Sequence, residues 1–272
     1  MLNKIRHLVF DMDGTIYKGK NLFPYTIQAF ALLDSCGVSY TYLTNNSSLS
    51  AKDYVKKINN LGLRCEADNL YTSSLATLAS IRKQHPEFCT VYLLGTDSLK
   101  TEFREAGYQI VSDDAEPDFV VVAFDTDMKY ASLCKSAWWI KHGKPYFATH
   151  PDKICPTNLP TVLIDCGAAC DCIASATGRT PDKVFGKPDR SMIDGIMERH
   201  GLKPYETAMV GDRLYTDMEM ARRAGVIGIL VLSGEATREE LRASGLKPEI
   251  VVENILELAE RIQQAKNCVN GG

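Results

Sequence analysis

Two aspartates directly follow an apolar run near the start of the chain, in the stretch HLVFDMDGT at residues 7–15. A run of this kind predicts a buried β-strand, so Asp11 and Asp13 stand where that strand ends. Two carboxylates this close disfavour each other's ionised form. A divalent cation with oxygen ligands would offset that cost, so the pair suggests a metal site.

Three further polar stretches accompany this pair: LTNNS at 43–47, GKPD at 186–189 and VGDRLYTD at 210–217. Three of the four stretches directly end an apolar strand. The carboxyl ends of strands form the ligand crevice in open parallel sheets, so we expect these stretches to converge there.

The side chains in these stretches suit a phosphate ester. Asp212 adds a third hard oxygen ligand of the kind Mg²⁺ prefers. Thr44, Asn45 and Asn46 supply neutral donors for phosphate oxygens, and Lys187 supplies a fixed positive charge. Phosphoryl transfer needs little beyond in-line positioning and cations that neutralise the equatorial oxygens.

The two aspartates could also divide the chemistry between them. A carboxylate can itself attack phosphorus and form an aspartyl-phosphate. A second acid two residues further along an extended segment can protonate the leaving group and then activate water.

Each stretch taken alone also has an ordinary structural explanation. An Asp-x-Asp-Gly sequence occurs in calcium loops, although the further ligands of an EF-hand are missing here. GKPD does not form a Walker A loop, a Gly-Asp pair is often a turn, and TNNS is often a helix N-cap. The functional interpretation rests on all four occurring in order and in suitable structural contexts.

Strand-like and helical segments alternate almost throughout the chain. This rhythm predicts an α/β fold with a Rossmann-like, doubly wound parallel sheet and helices on both faces. The strands are too many for one ordinary sheet, so we expect a second α/β unit inserted into the first. One of the predicted helices covers residues 216–225, TDMEMARRAG.

The composition is that of an ordinary soluble globular protein, with 45% hydrophobic and 24% charged residues among 272. A net charge of -3 gives no electrostatic footprint for nucleic acid or for an anionic membrane. No apolar run approaches the roughly 18 residues of a membrane span, and the N-terminus lacks signal-peptide features. We therefore expect a cytoplasmic protein, with its nine cysteines mostly reduced.

The four stretches together resemble the motifs of the haloacid dehalogenase (HAD) superfamily of phosphatases. TNNS followed by a long insertion and GKP resembles the NagD-like branch, class IIA. That branch includes nucleotide, pyridoxal phosphate, phosphoglycolate and glycerol phosphate phosphatases. The resemblance implies a catalytic core at residues 1–75 and 178–272, with an α/β cap of the C2 type at residues 76–177. Such a cap would cover the site and select the leaving group.

The resemblance also implies a role for each site residue. Asp11 would be the nucleophile and a Mg²⁺ ligand, and Asp13 would be the general acid/base and give its carbonyl to the metal. Asp212 would be the second carboxylate ligand of Mg²⁺, and Asp217 would hold Lys187 or metal-bound waters. The phosphoryl group would be bound by the remaining residues, Thr44, Asn45, Asn46 and Lys187, of which Lys187 would also steady the nucleophile.

The sequence departs from the family pattern in two places. The usual ATNPD is ATHPD here, with His150 in place of asparagine, and Cys155 occupies the place of a histidine found in pyridoxal phosphate phosphatases. The second change disfavours pyridoxal phosphate as the main substrate. A structural hydrogen bond is favoured over a substrate contact for His150, and a core or subunit contact is favoured over base stacking for Trp138 and Trp139.

Three functions remain open at this stage. The first is a Mg²⁺-dependent phosphatase for small monoesters: nucleoside monophosphates, sugar or glycerol phosphates, phosphoglycolate and aryl phosphates. A phosphotransferase or mutase could use the same aspartyl-phosphate, and a non-catalytic binding module is disfavoured because every expected carboxylate is present. The physiological substrate, the choice between Mg²⁺ and Mn²⁺, and the oligomeric state stay open. A homodimer through the cap is compatible with the resemblance.

Overall fold

The structure is a computed structural model that describes residues 1–19, 21–112, 115–157 and 160–270. The chain forms two compact units. The first contains Met1–Leu43, Lys56–Tyr71 and Pro188–Gly272, and the second contains Thr44–Val55 and Thr72–Lys187.

The strands follow one another along the chain as β1 (His7–Asp11), β2 (Tyr17–Lys18), β3 (Asn21–Leu22), β4 (Ser39–Thr44), β5 (Leu70–Thr72), β6 (Thr90–Leu94), β7 (Gln109–Ile110), β8 (Phe119–Val122), β9 (Tyr146–Ala148), β10 (Ile154–Cys155), β11 (Leu163–Ile164), β12 (Lys183–Val184), β13 (Thr207–Gly211), β14 (Ile227–Val231) and β15 (Ile250–Val252).

The helices are α1 (Thr26–Ser35), α2 (Ala51–Asn60), α3 (Ser73–Gln84), α4 (Asp97–Glu105), α5 (Tyr130–Lys141), α6 (Cys166–Thr177), α7 (Ser191–His200), α8 (Glu219–Ala224), α9 (Arg238–Ser244) and α10 (Ile255–Asn270). A π-helical segment, Leu214–Met218, directly precedes α8. The predicted helix at 216–225 therefore begins in π-helical rather than α-helical geometry.

The first unit is built on a sheet with the strand order β15-β14-β13-β1-β4-β5. β1 pairs in parallel with both β4 and β13, and β13 to β15 also pair in parallel. The chain adds β4 and β5 on one side of β1 and later adds β13 to β15 on the other. The topological switch point therefore lies between β1 and β13, where α/β sheets form their ligand crevice.

The strand at the switch point is completely buried. Leu8, Val9 and Phe10 of β1 have no exposed surface, and Phe10 lies against Phe30 of α1 with ring centroids 5.1 Å apart. A strand buried on both faces reads as a continuous apolar run, which is why the segment HLVF could be identified from the sequence. This rigid central strand fixes the position of Asp11 at its end.

The second unit has its own parallel sheet, in the order β12-β9-β8-β6-β7. Alternate residues of its strands enter two separate hydrophobic clusters: Val91 and Leu93 of β6 contribute to one, and Tyr92 and Leu94 to the other. Successive side chains of a strand point to opposite faces, so both faces of this sheet are buried.

The predicted α/β fold with a doubly wound parallel sheet is confirmed by these strand orders. The assignment of residues 76–177 to a cap stays a prediction. Within the described ranges, no helix combines the length and the apolar character that crossing a membrane requires. The eight cysteines whose side chains are described are all free thiols.

Candidate active site

Three carboxylates meet at the switch point of the first unit. Asp11 ends β1, Asp212 follows β13, and Asp217 lies in the π-helical segment. One oxygen from each lies within 4.8 Å of the others, and the three side chains are at most 7% exposed. The sequence analysis assigned Asp217 to Lys187 or to metal-bound waters, and this assignment stays a prediction; its carboxylate lies close to those of Asp11 and Asp212.

Asp212 is held in a defined orientation. Its Oδ2 accepts a 2.7 Å hydrogen bond from the N–H of Glu235. Its buried Oδ1 has no hydrogen-bond partner in the part of the chain that the structure describes. Gly14 allows this arrangement, because its φ of +89° favours glycine and an added Cβ would lie 2.3 Å from Oδ2.

The close approach of the three carboxylates has an electrostatic cost. Burial, followed by repulsion from Asp11 and Asp217, raises the pKa of Asp212 to about 8. The Glu235 N–H and the charge of Arg213 act in the opposite direction. An unpartnered buried carboxylate oxygen beside two more carboxylates is a suitable environment for a hard divalent cation, so these residues fit such an ion.

Asp13 lies beside this group and is not a member of it. Burial, followed by the charge of Asp11, raises the pKa of Asp13, whereas Arg213 and Lys57 lower it. Its neighbour in the chain, Gly14, donates its N–H to the carbonyl of Tyr17 at 2.8 Å, which closes the loop after β1. Asp13 is therefore a carboxyl group that gains a proton more readily than an exposed aspartate does.

Sequence reasoning missed Arg213, although it lies inside the stretch VGDRLYTD. The backbone N–H of Arg213 donates to Asp217 Oδ2 at 3.1 Å, and the Arg213 side chain forms an ion pair with Glu235. Burial alone would lower the pKa of Arg213, but the negative charges of Asp11, Glu235 and Asp212 hold it above its usual value. Its position in the sequence, directly after Asp212 and four residues before Asp217, could have marked it as a site residue.

In the second unit, the side-chain amide of Asn45 forms hydrogen bonds with both the N–H and the carbonyl of Lys187. The Lys187 N–H donates to Asn45 Oδ1 at 2.6 Å, and Asn45 Nδ2 donates to the Lys187 carbonyl at 3.1 Å. The same Nδ2 also donates to Asp152 Oδ2 at 3.1 Å. Asn45 and Lys187 are thus brought together as predicted, and the amide of Asn45 is engaged with protein groups.

The glycine before Lys187 completes this contact. Gly186 has a φ of +75°, and a Cβ there would lie 2.8 Å from Asn45 Oδ1 and 2.7 Å from His150 Cβ. Only glycine suits both the backbone conformation and the space. The sequence GKP therefore presents Lys187 through a turn that Asn45 closes.

Thr44 and Asn46 lie on either side of Asn45. Thr44 Oγ1 accepts the N–H of Asn46 at 3.2 Å, and Asn46 Oδ1 accepts the N–H of Ser48 at 2.9 Å. Asn46 Nδ2 lies 3.6 Å from the sulfur of Cys155, which it can contact as a weak donor. These bonds give the segment after β4 a defined turn structure.

His150 is a structural residue, as the sequence favoured. It is fully buried, with Nδ1 3.1 Å from the hydroxyl of Thr149 and Nε2 2.9 Å from Asp165 Oδ1. The second contact lacks hydrogen-bond alignment. Burial lowers the pKa of His150 to about 4, so its imidazole is neutral near neutral pH, and burial raises the pKa of Asp165 to about 7.

The two tryptophans of α5 have different environments. Trp139 packs against the hydrophobic core of the second unit, as the core alternative predicted. Trp138 is 52% exposed and lies against His142, with ring centroids 3.9 Å apart. Their adjacent positions on one helix direct them to different faces.

Comparison with known proteins agrees with this fold. Residues 8–109 match the haloacid dehalogenase-like hydrolase family, and residues 184–258 match a HAD-hydrolase-like family. An acid sugar phosphatase of Staphylococcus epidermidis is 30% identical over 240 residues, which cover 88% of this chain and 91% of the relative.

Two solved structures extend the likeness over nearly the whole chain. The 4-nitrophenylphosphatase of Thermotoga maritima is 39% identical with a TM-score of 0.89, covering 95% of this chain and 98% of that one. NagD from E. coli K-12 is 27% identical with a TM-score of 0.83, covering 93% and 98%.

The chain therefore belongs to the haloacid dehalogenase-like hydrolases, in the NagD-like branch of phosphatases. It is a phosphoric monoester hydrolase, an enzyme class whose HAD members use a divalent metal.

Proposed function

We propose that this protein is a Mg²⁺-dependent phosphatase that hydrolyses small phosphate monoesters through an aspartyl-phosphate intermediate. The observation that carries the proposal is the buried group formed by Asp11, Asp212 and Asp217, in which Oδ1 of Asp212 has no hydrogen-bond partner among the described residues. Mg²⁺ favours such oxygen ligands and usually keeps a substrate phosphate in its octahedron.

The reaction needs two displacements. An oxygen of Asp11 attacks phosphorus, the ester P–O bond breaks, and Asp13 gives its proton to the leaving oxygen. Asp13 then takes a proton from water, which attacks phosphorus and releases Asp11 and inorganic phosphate. Burial and the neighbouring Asp11 make Asp13 easier to protonate, which supports this role.

We assign the metal to Asp11, to Asp212 and to the backbone carbonyl of Asp13. The metal would supply charge neutralisation at the phosphoryl oxygens. Asp217 would hold Lys187 or metal-bound waters, and its position beside the other carboxylates also suits direct ligation.

The phosphoryl group would be bound by Thr44, Asn45, Asn46 and Lys187. The contacts of Asn45 support a share in this role through Lys187, whose N–H and carbonyl it fixes. Lys187 is only 3% exposed, and the two bonds to its backbone hold the residue at a defined place.

The substrate class follows from the named relatives. One relative is named an acid sugar phosphatase and a similar structure is named a 4-nitrophenylphosphatase, which indicate a sugar phosphate and an aryl phosphate. We therefore place sugar and glycerol phosphates first, followed by nucleoside monophosphates and phosphoglycolate, with aryl phosphates as convenient artificial substrates. A cap at residues 76–177, a cytoplasmic location and a homodimer through the cap belong to the same proposal.

Phosphate release from a panel of these esters tests the proposal. Wild type is assayed with Mg²⁺ and with EDTA, beside Asp11→Asn and Asp13→Ala. We expect release that requires Mg²⁺ and is lost in both variants. A variant at Asp11 that keeps its rate contradicts the mechanism, and transfer to an added acceptor alcohol instead of water identifies a phosphotransferase.

A further inference from the structure

A loop after β14 lies directly on one of the carboxylates. This segment, Ser233–Ala236, is attached to Asp212 by two hydrogen bonds: the N–H of Glu235 to Oδ2 at 2.7 Å, and the N–H of Ala236 to the backbone carbonyl at 3.0 Å. A Cβ on Gly234 would lie 1.9 Å from Oδ2. The orientation of the carboxylate therefore depends on where this loop lies.

An ion pair connects the loop back to the residue that follows Asp212. Arg213 Nε and Glu235 Oε2 are 3.0 Å apart, without the alignment of a hydrogen bond. The Arg213 side chain is 19% exposed and that of Glu235 is 48% exposed. Glu235 therefore contacts both neighbours: its backbone N–H binds the Asp212 carboxylate, and its side chain pairs with Arg213, the residue that follows Asp212.

We propose that Arg213 and Glu235 are positioning residues whose ion pair orients Asp212 for the cation. The pair holds the 233–236 loop in place, the loop fixes Oδ2, and Oδ1 is left to bind the metal. The backbone N–H of Arg213 also donates to Asp217 Oδ2 at 3.1 Å. The positions of both Asp212 and Asp217 therefore depend on Arg213. This inference rests on the proposed function, because it concerns a ligand of the proposed Mg²⁺.

A purely electrostatic effect of the two side chains makes different predictions. Removing the charge of Arg213 alone should then tighten cation binding, and removing that of Glu235 alone should weaken it. Removing both leaves the net charge unchanged, so the two effects should nearly cancel. Positioning instead requires the pair itself, so loss of both side-chain charges should weaken binding.

The decisive variant is therefore the double substitution Arg213→Gln with Glu235→Gln. The dissociation constant of Mn²⁺, which suits the same oxygen ligands, is measured on the full chain without substrate, by the EPR signal of the free ion. We expect it to rise about tenfold, as is typical when partners of metal ligands are lost. Glu235→Asp keeps the negative charge but has a side chain too short to reach Arg213, so it should also weaken Mn²⁺ binding. It provides the test if the double variant does not fold.

A matched control exists in the same unit. Arg6 and Glu206 form a 3.2 Å ion pair at the opposite end of β1, in which the arginine is exposed and the glutamate is partly buried. The double substitution Arg6→Gln with Glu206→Gln should leave Mn²⁺ binding unchanged.

The outcomes separate this inference from the proposed function. Wild type that binds neither Mn²⁺ nor Mg²⁺ overturns both. Wild type that binds Mn²⁺, with Arg213→Gln/Glu235→Gln and Glu235→Asp both within about twofold of it, overturns the positioning role alone. Weaker binding in folded variants, with the control unchanged, supports it.

Discussion

Replacing Asn45 by alanine should damage both stability and catalysis, because the amide holds the backbone of Lys187. Three hydrogen bonds are lost: two to the N–H and carbonyl of Lys187, at 2.6 and 3.1 Å, and one to Asp152 at 3.1 Å. A residue that only contacted the substrate would leave the stability of the free protein unchanged. The two effects together therefore distinguish positioning from substrate contact.

The magnitude follows from the kinds of bonds lost. A typical hydrogen bond contributes about 1 kcal/mol net, a bond to a charged group contributes about 2, and a buried backbone group left without a partner adds to the cost. We expect the free energy of unfolding of Asn45→Ala to fall by about 4 kcal/mol or more. A displaced Lys187 should lower kcat/KM by about 100-fold, since small misplacements of catalytic groups have effects of this size.

The chain contains a matched control for this experiment. Asn59, in the first unit, brackets the backbone of Cys65 in the same manner: its Oδ1 accepts the Cys65 N–H at 3.1 Å and its Nδ2 donates to the Cys65 carbonyl at 2.8 Å. Asn59→Ala should lose about 2 kcal/mol of stability by the same reasoning, with kcat/KM nearly unchanged.

Urea unfolding and p-nitrophenyl phosphate hydrolysis, measured on both variants and on wild type, provide the test. Activity is recorded well below the unfolding transition, so that a lower rate reflects the folded enzyme. The reasoning fails if Asn45→Ala is folded with wild-type stability, or if it loses stability but keeps kcat/KM. It also fails if Asn59→Ala loses as much activity as Asn45→Ala.

Two titratable groups of the first unit give further predictions. Burial, and then His200, lower the pKa of His7 to about 3, so the unfolded chain binds more protons below the usual value of 6.5. Stability should fall by about 2 kcal/mol between about pH 7.5 and pH 5, and His7→Gln should remove most of that loss in urea titrations; an equal loss in the variant contradicts the assignment. For Asp212, a folded pKa raised to about 8 means that ionisation becomes a cost to folding as the pH rises above the usual value of 3.8. Near neutral pH and in EDTA, Asp212→Asn should therefore unfold at higher temperature and have no phosphatase activity. A lower unfolding temperature contradicts this.

The framework of the site could be predicted from the sequence because its signals are local. The segment HLVF is an apolar run that ends at Asp11, and the strand before Asp212 has the same form. Parallel strands align their carboxyl ends, so placing the two strands in one sheet was enough to bring the carboxylates together. No knowledge of side-chain contacts was needed for that step.

The supporting contacts could not be predicted because they join residues that are distant in sequence. Asn45 and Lys187 are 142 positions apart, and Glu235 is 23 positions from the carboxylate that its N–H binds. The residue type of Asn45 suggested a phosphate ligand, and Glu235 was not singled out from the sequence. Only the packing of the backbone shows that Asn45 is engaged with the chain and that Glu235 lies over Asp212.

The question raised by the first two aspartates is how a buried strand can end in carboxylates. Asp11 lies beside Asp212 and Asp217, whose charges are offset by the backbone N–H of Glu235 on Asp212, the backbone N–H of Arg213 on Asp217, and the Arg213 guanidinium. Oδ1 of Asp212 nevertheless keeps no partner among the described residues. Further donors would reduce the cost, but each would occupy an oxygen that a cation needs. A ligand that binds only the folded state stabilises it in proportion to the logarithm of its concentration above Kd. The repulsion that weakens the cation-free protein is therefore the same interaction that makes the site attract a divalent cation. The stability of the cation-free protein and the affinity for the cation cannot be optimised separately.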